Sequence, residues 1–188
     1  MSLLIINTLE EDDPAVKNAI RHLSAKTSVH TIFHTAKMKI APCIGCNACW
    51  LRTPGVCAVK DDYEQILKAC LQHDTTIIIS DTSLGFISYQ AKNIVDRMLP
   101  LATMYTHIVD GQMRHVPRYE KKYWFGLVYS GIADAEYMEQ WLGRFALNFD
   151  GISIGAFPIE KCREVSLCRY ALNNYQRRCT SAEQKQHS

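Results

Sequence analysis

The chain is punctuated by short continuous apolar runs, and these constrain its fold more than any other feature. Leu3-Leu4-Ile5-Ile6, Thr75–Ser80 (TTIIIS), Tyr123–Tyr129 (YWFGLVY) and Gly151–Phe157 (GISIGAF) read as strands buried on both faces. A β-branched stretch at Ser28–Phe33 supplies one more strand. Between the runs, apolar residues recur at helical spacing. They do so at Val16, Ala19, Ile20 and Leu23, at Ile66, Leu67, Cys70 and Leu71, and at Ile94, Val95, Met98 and Leu99 within Ser88–Leu99. A fourth helix is predicted over Asp134–Leu147 and a last one over Val165–Tyr175. Glu10 to Asp13 with Pro14 open the first helix, and Asp61-Asp62 cap the second. Five strands alternating with helices predict an α/β parallel sheet, whose ligands bind beyond the strand carboxyl ends where strand order reverses. The stretch 101–122 shows no period and is expected to be a long insertion loop, lidding a site or packing on a second subunit.

With 188 residues, 47% hydrophobic and 21% charged, the chain is expected to form one domain over 1–178 and a polar tail over 179–188. A balance of 21 basic against 19 acidic residues is too near neutral to imply a nucleic-acid or membrane partner. The N-terminus lacks a basic n-region and cleavage site, so a cytoplasmic setting is expected. Of the eight cysteines, Cys43, Cys46, Cys49 and Cys57 crowd into one loop, 42–60, as C-x2-C-x2-C-x7-C. Three readings stay open for them: an iron–sulfur cluster, a zinc ion, or free thiols that pair on occasion. Cys70 reads as core packing, and Cys162, Cys168 and Cys179 as helix or surface thiols. His30 and His34 share a strand face that is expected to be solvated, and Asp96-Arg97 is expected to be a structural pair.

The segment CIGCNACWLRTPGVCAVKDDYEQIL (Cys43 to Leu67) resembles the signature of NAD(P)H-dependent FMN reductases of the multimeric flavodoxin type. GFISYQAKNIVDRMLP (Gly85 to Pro100) resembles the same family's Lys-to-Asp-Arg helix, with Lys92, Asp96 and Arg97 in place. The resemblance implies a flavodoxin-like three-layer α/β/α sandwich whose five-stranded parallel sheet has the order 2-1-3-4-5. It also implies assembly as homodimers or homotetramers. FMN is the implied cofactor, NAD(P)H the co-substrate, and a quinone, aromatic or protein the electron acceptor. Thr8, Ser83, Leu84, Gly85, Phe86, Ser130 and Gly131 would hold the FMN. Iron–sulfur flavoproteins are related, which would make the four loop cysteines cluster ligands.

Two loops depart from the family pattern. The phosphate cradle is expected to be rich in Ser, Arg and Gly, whereas this chain has Asn7-Thr8-Leu9-Glu10-Glu11-Asp12-Asp13. Four carboxylates there oppose a phosphate, each by about 1 kcal/mol or less when solvated and by several kcal/mol when partly buried. The expected Pro-x-Tyr-x-Gly turn against the flavin ring is here Asp81 to Gly85, which keeps only the glycine. Phe86 is positioned either to cover a ring or to join the core. These departures sustain an alternative, a flavodoxin-fold protein that has lost FMN and serves as a binding or assembly module.

Overall fold

The structure is a computed structural model that describes residues 1–109 and 111–167. Of the last helix expected over Val165–Tyr175, residues 165–167 are described and are not helical; the rest, with the polar tail, Cys168 and Cys179, falls outside the described residues. The elements in chain order are β1 (Leu3–Asn7), α1 (Pro14–Ser24), β2 (His30–His34), α2 (Ala48–Leu51), α3 (Tyr63–Gln72) and β3 (Thr75–Ser83). There follow β4 (Phe86–Ile87), α4 (Tyr89–Asp96), β5 (Ala102–Val109), β6 (Gln112–Pro117), β7 (Trp124–Ser130), α5 (Ala135–Leu147) and β8 (Ile152–Pro158). Among the described residues no helix is long and apolar enough to cross a membrane.

Five strands pair in parallel in the order β2-β1-β3-β7-β8, the expected 2-1-3-4-5 arrangement. The alternation of side chains along each strand divides the core into two layers. Leu3, Ile5, Ile77, Ile79 and Val128 face Val16, Ala19 and Leu23 of α1 and the turn at 159–165. Leu4, Ile6, Ile78, Phe125 and Leu127 face α3, α4 and α5. All five residues of β1 are buried, and each aliphatic one contributes about 1.5–3 kcal/mol by burial. Lys121 fixes the outgoing end of α3, its Nζ donating to the carbonyls of Cys70, Leu71 and His73.

The structure corrects several expectations. The stretch 101–122 is no irregular loop: β5 and β6 form an antiparallel hairpin, pairing Thr106 with His115 and Ile108 with Met113. Its turn carries Gly111 at φ +72°, and the Asp110-Gly111 dipeptide is a hairpin signal. The sheet system therefore holds more than five strands, since β4 also pairs antiparallel with β3. Asp96 and Arg97 do not pair with each other. Asp96 meets Lys92 one turn back, while Arg97, turned about 100° further round by the helical period, reaches Asp61. Asp62 makes no side-chain cap bond; its neighbour Asp61 accepts from the Tyr63 amide instead. Cys162, of the two settings expected for it, takes the helical one, in the short turn Ile159–Glu164, where it is buried in the core layer under α1.

Candidate functional site

Strand order reverses between β1 and β3, so the crevice beyond their carboxyl ends is the place to seek a ligand. Three loops border it, after β1, β3 and β7. In the first, Asn7 closes a local ring: its Oδ1 accepts from the Leu9 amide and its Nδ2 donates to the Leu9 carbonyl. The same amide group lies 3.1 Å from His34 Nδ1. Thr8 is buried, and both its amide and its hydroxyl donate to the Ile79 carbonyl, at 3.0 and 2.9 Å.

Three of the four acids of this loop have partners of their own. Asp13 is the N-cap of α1, its Oδ1 accepting from Ala15 N at 2.7 Å and Val16 N at 3.2 Å. Asp12 pairs with Lys17, and Glu11 pairs with Lys37 and lies 3.7 Å from His34 Nε2. Hydrogen bonds from Lys37 and Lys17 hold the Glu11 and Asp12 carboxyls below their usual range. Of the four acids expected to open α1, Asp13 does so as the N-cap, and none lies within the first turn itself. Proline occupies that turn, and Asp13 stands just before it.

The other two loops are open. β3 runs past the sheet and folds back through Leu84 and Gly85 into β4, pairing Ser83 with Phe86. Both tip residues are left-handed, at φ 52° and 77°, which is the requirement of a type I′ hairpin turn. Leu84 is wholly exposed, and a Cβ built on Gly85 would meet nothing within 4 Å. After β7, Gly131 is held at φ +103° with space for no side chain, since a Cβ would lie 2.5 Å from Thr82 Oγ1. That hydroxyl donates to the Ile132 carbonyl at 3.1 Å and ties the two loops together. Ser130 stands in register with Asp81, and Ile132 is almost fully exposed. Phe86 packs edge-on against Trp141 at 5.0 Å and beside Tyr137, so it faces α5.

Of the residues expected to hold FMN, the structure brings Ser83, Leu84, Gly85, Ser130 and Gly131 to one edge. Thr8 lies in the first loop with its donors already engaged. The open backbone and exposed apolar flanks of the β3 and β7 loops suit a flat ring. In the first loop the leading amides of α1 already have acceptors, those of Ala15 and Val16 in the Asp13 carboxylate and that of Lys17 in the Asp13 carbonyl.

The cysteine loop is a separate structure. Cys43, Cys46, Cys49 and Cys57 line one small cavity of about 20 Å³. Among the described residues no three Cys, His, Asp or Glu side chains form a group able to hold a metal ion. Burial, with the neighbouring Cys57 and Cys43, raises the Cys49 thiol above its usual value. Sequence reasoning missed the residue that organises this loop, Arg97. It is 2% exposed, lies 4.5 Å over the Tyr63 ring, and donates to Asp61, to the Ala41 and Val59 carbonyls and to Cys57 Sγ. Asp61 also accepts from the Ala41 amide, and Asp62 from the Lys39 amide. Burial alone would raise the Asp61 carboxyl, but the bonds from Arg97, Ala41 and Tyr63 outweigh it and hold it low. The far side of the loop rests on the β5–β6 hairpin through Trp50 and His115, whose ring centroids are 5.1 Å apart. An open groove of about 420 Å³ runs beside it, between Cys43, Asp96, Leu99, His115 and Phe149, away from the β1–β3 crevice.

No family model matches the chain. It is 33% identical over 86 residues to an iron–sulfur flavoprotein of Methanocaldococcus jannaschii, covering 46% of this chain and 44% of the relative. It is 25% identical over 123 residues to an iron–sulfur flavoprotein of Archaeoglobus fulgidus, covering 65% and 50%. The chain thus spans about half the length of the curated relatives it matches. Among solved structures, an NAD(P)H:quinone oxidoreductase from Methanothermobacter marburgensis superposes with a TM-score of 0.56 at 10% identity, covering 88% of this chain and 90% of the other. An NADH:FMN oxidoreductase in its apo form superposes with a TM-score of 0.51 at 12% identity, covering 91% and 93%. At such identities a structural likeness establishes architecture, and that architecture agrees with the resemblance carried by the cysteine segment: the chain has the flavodoxin-like fold.

Proposed function

We propose that this chain is a flavin-dependent oxidoreductase that passes electrons from NAD(P)H through FMN to a small-molecule or protein acceptor. The observation that carries the reading is the pair of left-handed turns at Leu84-Gly85 and Gly131, tied by Thr82 beside the β1–β3 switch point. The relatives named as flavoproteins and the oxidoreductase neighbours support it. A bound flavin supplies the redox chemistry, and the chain's own residues would orient it. Gly85 and Gly131 let main chain approach a ring, Leu84 and Ile132 shield it from water, and Ser83 and Ser130 offer hydroxyls at its edge. Assembly as a homodimer or homotetramer in the cytoplasm belongs to the same proposal, supported by the exposed Tyr105, Ile108 and Met113 of the β5–β6 hairpin.

A visible spectrum of fresh, anaerobic protein tests this reading, together with thermal shifts in excess FMN and riboflavin. The expected result is a flavin spectrum or a raised melting temperature. Colourless protein whose melting temperature ignores both flavins would sink the proposal.

A second reading adds an iron–sulfur cluster at Cys43, Cys46, Cys49 and Cys57. It is favoured by the single cavity that the four thiols line and by the names of the curated relatives. Soft thiolates are the right donor type, although the loop as it stands does not bring them into a ligating group. Iron and labile sulfide in anaerobic protein, lost on Cys46→Ser, are the expected signs, and an iron-free preparation removes the cluster from consideration.

A further inference from the structure

We infer that the flavin site recognises the ring and not the 5′-phosphate, so that riboflavin binds at least as tightly as FMN. The inference rests on the flavin reading above and makes it narrower. A helix N-terminus binds an anion through amides that have no other partner, and α1 has none to give. Pro14 at the first position lacks an N–H. The next two amides, of Ala15 and Val16, already donate to the Asp13 carboxylate, and that of Lys17 donates to the Asp13 carbonyl at 2.9 Å. Asp13 is therefore a built-in anion that occupies the place a phosphate would take.

Side chains earlier in the loop are engaged as well. The one hydroxyl proton of Thr8 is committed to the Ile79 carbonyl, so its outward lone pairs oppose a phosphate oxygen. Asn7 is engaged at both its oxygen and its nitrogen. The nearby cations, Lys17 and Lys37, are bound to Asp12 and Glu11. At the other end of the crevice the tip of the β3–β4 hairpin is uncovered: Leu84 is fully exposed and Gly85 faces open space. Ring recognition and phosphate recognition are thus physically separated, and only the first is provided.

The test compares FMN with riboflavin on the intact chain by fluorescence quenching, and repeats the comparison on Asp13→Asn. Asparagine keeps the shape of the cap and its acceptor oxygen while removing the charge. Asp13→Ser serves as a second variant, with thermal melts to show that both are folded. In the wild type the FMN-to-riboflavin ratio of dissociation constants is expected to be one or greater. In both variants FMN affinity should rise by about tenfold with riboflavin unchanged, the effect of lifting one like-charge contact. Wild-type binding of FMN tenfold tighter than riboflavin overturns the inference and leaves the flavin reading standing. An unchanged ratio in both folded variants also overturns it, because the Asp13 charge is then no barrier. Failure of all three proteins to bind either flavin removes the flavin reading and the inference with it.

Discussion

The β1–α1 loop and the cysteine loop are both clusters of one residue type, and the structure treats them in opposite ways. In the first, three of four acids find partners within the loop's own neighbourhood: Asp13 on its helix, Asp12 on Lys17, Glu11 on Lys37. In the second, four thiols surround a cavity, and the loop takes its order from outside, through Arg97 and the Asp61-Asp62 pair. A run of acids in sequence is therefore a poor measure of free negative charge. A run of cysteines is likewise not by itself a metal site. What decides in both cases is where each polar atom's partner lies.

The largest effect should come from removing the external anchor of the cysteine loop. Arg97→Met leaves the partly buried Asp61 without its cation and the Ala41 and Val59 carbonyls without their donor, and urea melts should show a loss of about 3 kcal/mol. Cys57 should then alkylate faster, as read by mass spectrometry, while Cys70, pushed up to about 12 by burial, stays unlabelled at pH 8 in both proteins. A variant as stable as wild type would mean that the cysteine loop holds itself together.

Asp61→Asn should cost less, and its cost should depend on pH in a defined direction. The folded carboxyl lies below its ordinary value, so its contribution is complete above an unfolded pKa of about 3.9 and disappears as pH falls through the folded one. The stability gap to wild type should be flat from pH 7 to about 5 and close in stronger acid. A gap that widens in acid contradicts the assignment.

Smaller effects belong to the first loop. Asp13→Ala removes a cap and should destabilise by about 1 kcal/mol in thermal melts, whereas Asp13→Ser should be close to neutral. Asp12→Asn loses only a solvated ion pair, and its melting curve should overlay the wild type. A large loss there would show the acids acting as a network.

The parallel sheet was legible because its strands are continuous apolar runs separated by helical spacing, which local sequence carries directly. The β5–β6 hairpin escaped because its strands are largely polar, only partly buried and share no period; Asp110-Gly111 was the signal to read. Phe86 had two possible surroundings, and its true neighbour, Trp141, lies on another element. Arg97 looked like part of its own helix, yet its partner Asp61 is 36 residues away. The acids were visible one by one, but the self-capping of α1 depends on which carboxylate reaches which amide.

The tip of the β3–β4 hairpin holds a leucine where asparagine or glycine would fold more easily. A left-handed backbone costs a leucine roughly 1–2 kcal/mol, and Leu84 recovers none of it, because its side chain touches only water. Leu84→Asn would relax the turn. Burying that side chain against an apolar ligand would offset the backbone's cost, so the turn would gain stability from whatever covers it at the mouth of the crevice.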